Sequence, residues 1–245
     1  MPTADTLAHL NADWAENFGC SVADLHRPGV TLLRNAGDFA EYRGAYLLRW
    51  GEACVFTVPD PFYAETEHAI AGRTIDDIFD QAFLAAHFGA SAERIIGPTF
   101  RSCCDGGDFQ PVETRGTRLL AREDVPALLR LRDAAGEEAW EHSSIVADRP
   151  PNFGCFVEGE LVTAGTLVAA SDRLRNVGIL THPAHRRQGY GRAVVSFMTA
   201  RALAEGGIGH YQTLMANSGS KAIALSLGYV QYATAFAVRL KLPAM

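Results

Sequence analysis

The sequence contains very little lysine: Lys221 and Lys241 are its two lysines, and arginine supplies nearly all of the positive charge. It also lacks an excess of positive charge, since 22 basic and 28 acidic residues give a net charge of −6. Such a surface as a whole repels nucleic acids and anionic membranes, so an anion site requires a local cluster of arginines. We therefore expect no nucleic-acid partner and no membrane partner.

The sequence has no stretch of about 18 consecutive apolar residues, which argues against a membrane-spanning helix. The start, from Met1 to Asp5, lacks the basic and apolar regions of a signal peptide, so a cytoplasmic location is the expectation. The five cysteines are odd in number and form no CxxC pair, which argues against a disulfide framework and against a structural zinc site. We expect reduced thiols and no metal.

The 245 residues are 48% apolar and 20% charged, as is typical of a globular chain with a sizeable core. A turn-rich stretch, Cys103–Asp108, runs on to Pro111, and a new strand-like segment begins at Thr117. These features predict a domain boundary near residue 112. A first domain would then span residues 1–112, and a second would span residues 113–245.

The first domain reads as a small α+β unit. Ala45–Trp50 and Ala53–Val58 are strand-like and are separated by a turn. Thr74 is a candidate cap for one helix that continues to about Gly89. A further strand is expected over Ile95–Phe100. No catalytic signature is visible in this part of the sequence.

The second domain predicts strands and helices in the order βα(α)βββαβαβ, with a central mixed sheet flanked by helices. The predicted strands are Thr117–Ala121, Phe153–Glu158, Leu161–Ala170, Arg175–Thr181, Tyr211–Ala216 and Tyr229–Leu240, and the predicted helices lie between Asp124 and Gly136, Gly191 and Glu205, and Ser218 and Leu227.

One segment of the second domain carries a chemical signal. Between the strand ending at Thr181 and the next helix, the chain reads THPAHRRQGYGR. Glycine lets a backbone approach a ligand closely, and a helix start offers unpaired N–H groups and a partial positive charge. Arg186, Arg187 and Arg192 add three cations, so the segment predicts an anion site suited to a pyrophosphate. The nucleotide motifs GxxxxGK[ST] and GxGxxG are both absent.

This segment resembles the GNAT superfamily of acetyl-CoA-dependent N-acetyltransferases. The pattern RxxGxG at residues 186–191 matches the pyrophosphate-binding motif of the superfamily, and the preceding THP matches its usual strand end and proline. A second block, from Asn217-Ser218-Gly219-Ser220 to Leu227-Gly228-Tyr229, is similar to a later motif of these enzymes. The predicted order of elements from about residue 116 also matches their fold.

The resemblance implies acetyl-CoA as the cofactor and assigns roles within the motif. The strand edge near Leu180 and Thr181 would pair with the pantetheine arm, and a backbone N–H there would polarise the thioester carbonyl. The N–H groups from Arg187 to Gly191 would hold the pyrophosphate. The full set of implied cofactor-binding residues is Leu180, Thr181, Arg186, Arg187, Gln188, Gly189, Tyr190, Gly191, Arg192, Asn217 and Ser220.

The catalytic residues are less clearly indicated. Ala224 stands where many members carry a tyrosine that acts as general acid, and the segment Arg175-Asn176-Val177 lacks the acidic residue often found there. An acidic and aromatic cluster follows the first helix of this domain. In it Glu141 is the first candidate for the general base, and His142 is the second. An exposed amphipathic helix is the alternative interpretation of that cluster.

We therefore expect an acyltransferase that moves an acetyl group from acetyl-CoA to an amine of a small molecule or of a protein, by direct attack of the amine. The alternative is a catalytically idle module that binds acyl-CoA and contacts a partner. The sequence leaves open whether the protein forms a homodimer.

Overall fold

The computed structural model describes residues 1–149 and 151–241; residues 150 and 242–245, the latter ending the predicted second domain, lie outside that description. The described chain forms two compact units. The N-terminal unit comprises Ala4–Arg101, Thr213–Asn217 and residues 231–241, and the C-terminal unit comprises Met1–Thr3, Ser102–Gln212 and Ser218–Val230. This division does not follow the predicted boundary near residue 112. The boundary itself stays a prediction.

The described residues form ten strands and nine α-helices. The strands are β1 (Gly29–Arg34), β2 (Gly44–Trp50), β3 (Ala53–Val58), β4 (Ala92–Cys104), β5 (Arg118–Leu119), β6 (Asn152–Val157), β7 (Glu160–Ala169), β8 (Leu174–Thr181), β9 (Ile208–Leu214) and β10 (Val230–Leu240). The helices are α1 (Ala4–Phe18), α2 (Val22–Leu25), α3 (Asp60–Ile70), α4 (Ile75–Ile78), α5 (Gln81–Phe88), α6 (Val125–Ala135), α7 (Glu137–Ser143), α8 (Tyr190–Ala204) and α9 (Ser218–Ser226). None of these helices is long and apolar enough to cross a membrane.

In the N-terminal unit, the strands lie in the order β1-β3-β2-β10-β4. β1 is parallel to β3, and β2 is antiparallel to both β3 and β10. Successive residues of a strand face opposite sides of a sheet. Accordingly Tyr46 of β2 belongs to a buried cluster with Trp14 of α1, while Leu47 belongs to a second cluster with Leu84 of α5. Helices therefore cover both faces of this part of the sheet.

The predicted single helix from Thr74 to about Gly89 is wrong, because the chain forms two helices there. Thr74 does cap the first, in a reciprocal box with Asp77. The Asp80 carboxylate then accepts a hydrogen bond of 2.9 Å from the Phe83 N–H and starts the second helix. A local side-chain bond to the backbone thus overrides a helical pattern that looks continuous in the sequence.

In the C-terminal unit, the strands lie in the order β9-β8-β7-β6-β5. The pairs from β5 to β8 are antiparallel, and β8 and β9 are parallel. Ala164 of β7 is buried in a cluster with Leu128 of α6, whereas a Cβ at the neighbouring Gly165 would lie 2.6 Å from the side chain of Met198 on α8. Helices α6 and α8 therefore cover opposite faces, and the predicted mixed sheet flanked by helices is confirmed.

Asp124 stands directly before α6, yet its carboxylate does not bond the first turn of that helix. It accepts two hydrogen bonds from the Arg118 guanidinium, of 2.6 and 2.8 Å, and one of 2.8 Å from the Ala121 N–H. Arg118 foremost, with help from Ala121, lowers the pKa of Asp124 to about 2. The carboxylate thus joins β5 to the segment that leads into α6.

Replacing Asp124 by Asn should lower the free energy of unfolding at pH 7 by about 1 kcal/mol, because the ionised bidentate pair with Arg118 is lost. A depressed carboxyl pKa stabilises the folded state above the unfolded value of about 3.9, and this contribution disappears as the pH falls through about 2. Urea unfolding of D124N and wild type should therefore converge between pH 4 and pH 2. A pH-independent difference, or an equal loss in the exposed control D133N, would contradict the role given to this pair.

Candidate functional site

The candidate site begins where β8 and β9 separate. Their parallel register covers only Leu174–Asn176 and Ile208–His210. On its other edge β8 is paired with β7 as far as Thr181. Among the described residues, the second half of β8 therefore has one edge that is not paired with β9. Backbone groups at such an edge can bind an extended ligand in the way an added strand would.

A side-chain hydrogen bond lies at the last paired position of these strands. Asn176 Oδ1 accepts from the Nδ1–H of His210, which is buried. Because paired residues of parallel strands point to the same side, the bond links the two strands just before they separate. No local pattern in the sequence could predict this pair, since its two members are 34 positions apart.

The loop that follows β8 turns sharply into α8. Residues 183–185 form one 3₁₀ turn, which begins with His182 Nδ1 accepting from the Ala184 N–H at 3.2 Å. Gly189, at φ +88°, then stands directly before the helix and offers no side-chain cap. The first hydrogen bond within the helix runs from the Ala193 N–H to the Gly189 carbonyl oxygen, at 3.0 Å. The N–H groups of the first turn are consequently available to an anion.

The motif suggests that Gly191 lacks a side chain to make room for a ligand, but in the structure its neighbours are protein side chains. A Cβ at this position would lie 3.1 Å from Cδ1 of Ile223 and 3.2 Å from Oγ1 of Thr181. Gly191 is buried. The missing side chain thus lets α8 pack tightly against the end of β8 and against α9, and this packing brings the helix start next to the open strand edge.

Positive charge is concentrated around this helix start. Arg186, Arg187 and Arg192 are exposed, and Arg187 adopts a positive φ of 62°. Arg186 Nε donates to the Thr181 carbonyl oxygen at 3.4 Å. Each of the three predicted arginines therefore lies within the turn that joins β8 to α8 or in the first turn of α8. The electrostatics match those expected for a phosphate site.

A fourth arginine, which the sequence did not indicate, reaches the same loop. Arg115 Nη1 donates to the carbonyl oxygen of Gln188 at 2.7 Å. Its guanidinium carbon lies 5.3 Å from the centre of the Tyr190 ring. The contact joins residues 73 positions apart, so no local pattern could have revealed it.

The loop histidines have an acidic neighbour. His182 Nε2 and His185 Nε2 lie 3.8 and 4.0 Å from the Glu160 carboxylate, although no acid is near them in the sequence. A cavity of about 350 Å³ adjoins them, and its wall includes Arg130, Glu160 and His182. Its lining does not include Glu141. Polar groups of both signs therefore border the space between α6 and the turn that joins β6 and β7.

The two proposed base residues lie on α7, which packs on β8. A Cβ at Gly178 would overlap the carbonyl oxygen of Ser143, the last residue of α7, so this glycine permits the close contact. Glu141 and His142 are both exposed. They therefore lie near the end of a helix that contacts the open strand, and the structure leaves their catalytic role as a prediction.

The later motif places its residues around α9. Asn217 is exposed just before the helix, and the Ser220 hydroxyl lies 2.9 Å from the Tyr211 hydroxyl. Ala224, the position at which the resemblance implies a tyrosine as general acid, is fully buried and is part of the core. Tyr229 is also buried, with its hydroxyl 2.7 Å from Thr199 Oγ1, so it is a core residue.

The thiols do not offer a nucleophile. All five cysteines are free, and four of them are buried. Burial raises the pKa of Cys103 and of Cys104 to about 12, so both are protonated at neutral pH. A reaction that passes through an acyl-cysteine has no activated thiol in the described chain.

Comparisons with known proteins agree with this geometry. Residues 118–229 match the model of the acetyltransferase (GNAT) family. An acetyltransferase of the GNAT family from Colwellia psychrerythraea is 13% identical, with 98% of each chain covered and a TM-score of 0.55. A functionally unknown conserved protein from Staphylococcus epidermidis is 13% identical, with 66% of this chain and 68% of that chain covered and a TM-score of 0.50. Such low identities show the fold alone. No curated protein matches the sequence.

The tight packing of Gly191 yields a stability prediction. Replacing Gly191 by Val should lower the free energy of unfolding by about 1–3 kcal/mol, because the new methyl groups must displace Ile223 or Thr181. Replacing Ala200 by Val, at an exposed position of the same helix, should change it by less than about 0.5 kcal/mol. Urea unfolding measures both variants. Equal effects would show that the close approach at Gly191 is not a constraint on the fold.

Proposed function

Residues 118–229 of this chain form an acetyltransferase domain of the GNAT family, and on that premise we propose that the protein transfers an acetyl group from acetyl-CoA to an amine. The acceptor is an amine of a small molecule or of a protein, and it attacks the thioester directly. The observation that carries the proposal is the uncapped start of α8 behind Gly189, which lies beside the unpaired edge of β8.

The residues of this loop fit the chemistry of the cofactor. The N–H groups from Arg187 to Gly191 would bind the pyrophosphate, with Arg186 and Arg192 as counterions. The edge at Leu180 and Thr181 would pair with the pantetheine arm.

The remaining residues of the proposed site lie in the loop and beside α9. Gln188 and Tyr190 complete the loop, and Asn217 and Ser220 would contact the pantetheine arm from the side of α9. Acetyl-CoA supplies an activated acetyl group as a thioester.

The chain must also move a proton from the acceptor. An alkyl ammonium has a pKa near ~10.4, so a base has to remove its proton before the nitrogen can attack, whereas a thiol with a pKa near ~8.5 is a tolerable leaving group. We assign the base to Glu141, with His142 as the second candidate, because both are exposed on the helix whose end packs on β8. A backbone N–H of Leu180 or Thr181 would donate to the thioester carbonyl oxygen.

Protonation of the leaving group is left to solvent. Ala224 carries no acid, and its position is buried, so a tyrosine introduced there would have to displace core residues. Direct attack is also consistent with the high pKa of the buried thiols Cys103 and Cys104. These features favour a reaction in which the removal of the amine proton is the demanding step.

Binding of the cofactor gives the first test. CoA at about 100 times its dissociation constant should stabilise the fold by about 2.7 kcal/mol, which corresponds to a rise in Tm of about 5–10 °C. Arg192→Glu should weaken binding by at least about tenfold, because it places a carboxylate at the start of α8. Arg122→Glu makes the same charge change at an exposed position outside the loop and should leave the shift intact. Equal effects of the two variants would contradict the placement of the cofactor.

Turnover gives the second test. Acetyl transfer to a panel of amines should rise with pH to a plateau, as expected for a base or an amine that must lose a proton. Glu141→Gln should lower kcat/KM by roughly 10²–10⁴-fold, whereas Glu138→Gln, an exposed change on the same helix, should have little effect. An unchanged pH profile in E141Q would remove Glu141 from the mechanism. Binding of CoA without turnover of any amine would instead favour an idle acyl-CoA-binding module.

A further inference from the structure

Arg115 contacts the loop at the start of α8 at two residues, Gln188 and Tyr190. Its Nη1 donates to the Gln188 carbonyl oxygen at 2.7 Å, and its guanidinium carbon lies 5.3 Å from the centre of the Tyr190 ring. The same group lies 3.6 Å from the position that a Cβ would occupy at Gly189. The guanidinium therefore covers the side of the helix start where the glycine leaves room.

The backbone around Arg115 is held in an unusual conformation. Arg115 has a positive φ of 50°, which costs a non-glycine residue on the order of 1 kcal/mol or more. The Thr117 hydroxyl and N–H both donate to the Thr114 carbonyl oxygen, at 2.5 and 2.9 Å. The Cys155 thiol donates to the carbonyl oxygen of Arg115 itself, at 3.2 Å. These bonds fix the direction in which the side chain leaves the backbone.

The charge of coenzyme A calls for a cation beyond the pyrophosphate site. Besides the pyrophosphate, the molecule carries a phosphate monoester on its ribose 3′-oxygen, with a charge of about −1.5 to −2. In the proposed site, the first-turn N–H groups of α8, with Arg186 and Arg192, bind the pyrophosphate. Arg115 lies beside them, is exposed, and uses one of its five N–H groups on Gln188. Its planar fork suits a phosphate monoester.

On the basis of the proposed function, we propose that Arg115 binds the 3′-phosphate of coenzyme A and thereby makes the site selective for coenzyme A over dephospho-coenzyme A. The segment of residues 114–117 carries this arginine and lies outside both sequence motifs. The selectivity is a property of the folded chain, because residues 114–117 and the loop before α8 meet only through tertiary structure.

Calorimetric titration with coenzyme A and with dephospho-coenzyme A tests the proposal. Wild type should bind coenzyme A about tenfold more tightly, as expected for one charge-assisted contact to phosphate. Arg115→Gln should reduce that ratio to within about twofold and leave the affinity for dephospho-coenzyme A unchanged. Arg122→Gln, at an exposed position of the same unit, should keep the wild-type ratio. Arg115→Lys, which retains the charge, should keep part of the preference for coenzyme A over dephospho-coenzyme A.

The outcomes separate this inference from the proposed function. An equal loss of affinity for both ligands in R115Q would mean that Arg115 acts through the loop or the pyrophosphate, which would overturn the inference. The inference also fails if wild type shows no preference between the ligands, or if R115Q keeps the preference. Wild type that binds neither ligand would contradict the proposed function as well. Thermal unfolding of each variant without ligand checks that the fold is retained.

Discussion

The left-handed conformation of Gly189 is the constraint on which the rest of the candidate site depends. At φ +88° the chain can leave the loop and enter α8 at once, with no side chain over the first turn of the helix. A residue with a Cβ would meet the steric cost of this conformation, while the Cβ itself would be in ordinary contact with the guanidinium of Arg115. The N–H groups of the helix start are thereby directed to a ligand and not to a side-chain cap. Gly191 adds the second condition, because its missing side chain lets the helix pack against the end of β8.

The open strand edge and the helix start form one site because β8 leads directly into the loop. β8 is paired with β7 along its length, while its pairing with β9 ends at Asn176. The hydrogen bond from His210 to Asn176 closes the junction at that point. An extended ligand could therefore pair with the second half of β8 while its anionic end binds at α8. Neither feature would be sufficient alone, since a helix start lacks length and a strand edge lacks charge.

Much of the C-terminal unit can be predicted from the sequence, because its signals are local. The spacing of Gly189 and Gly191 after a strand, together with three arginines, predicts an anion site from the sequence alone. The other findings depend on contacts between distant segments. Arg115 reaches the loop from 73 residues away, and Glu160 approaches the loop histidines from β7. Helix α1 and strand β1 were not predicted, although the buried residues Leu10, Trp14 and Phe18 of α1 stand at helical spacing in the sequence.

Local bonds explain the remaining differences between sequence and structure. Asp80 interrupts a helical pattern that is continuous in the sequence, and Asp124 bonds Arg118 and not the first turn of α6. In both cases an aspartate carboxylate accepts hydrogen bonds from donors a few residues away. Which of the nearby donors it binds depends on the folded backbone. The packing role of Gly191 could not be predicted from the sequence either. The motif suggests that this glycine faces a ligand, whereas the structure places Ile223 and Thr181 beside it.

Amide shift mapping would locate the cofactor site on the folded chain. Coenzyme A added to the ¹⁵N-labelled protein should cause its largest shifts at the N–H groups of Gly189, Gly191 and Arg192, followed by those of Leu180 and Thr181. We expect saturation at one ligand per chain, with little change at Asn176 and in the core of α8. Saturable shifts confined to another surface, or no shifts at any accessible concentration, would contradict this placement of the cofactor site.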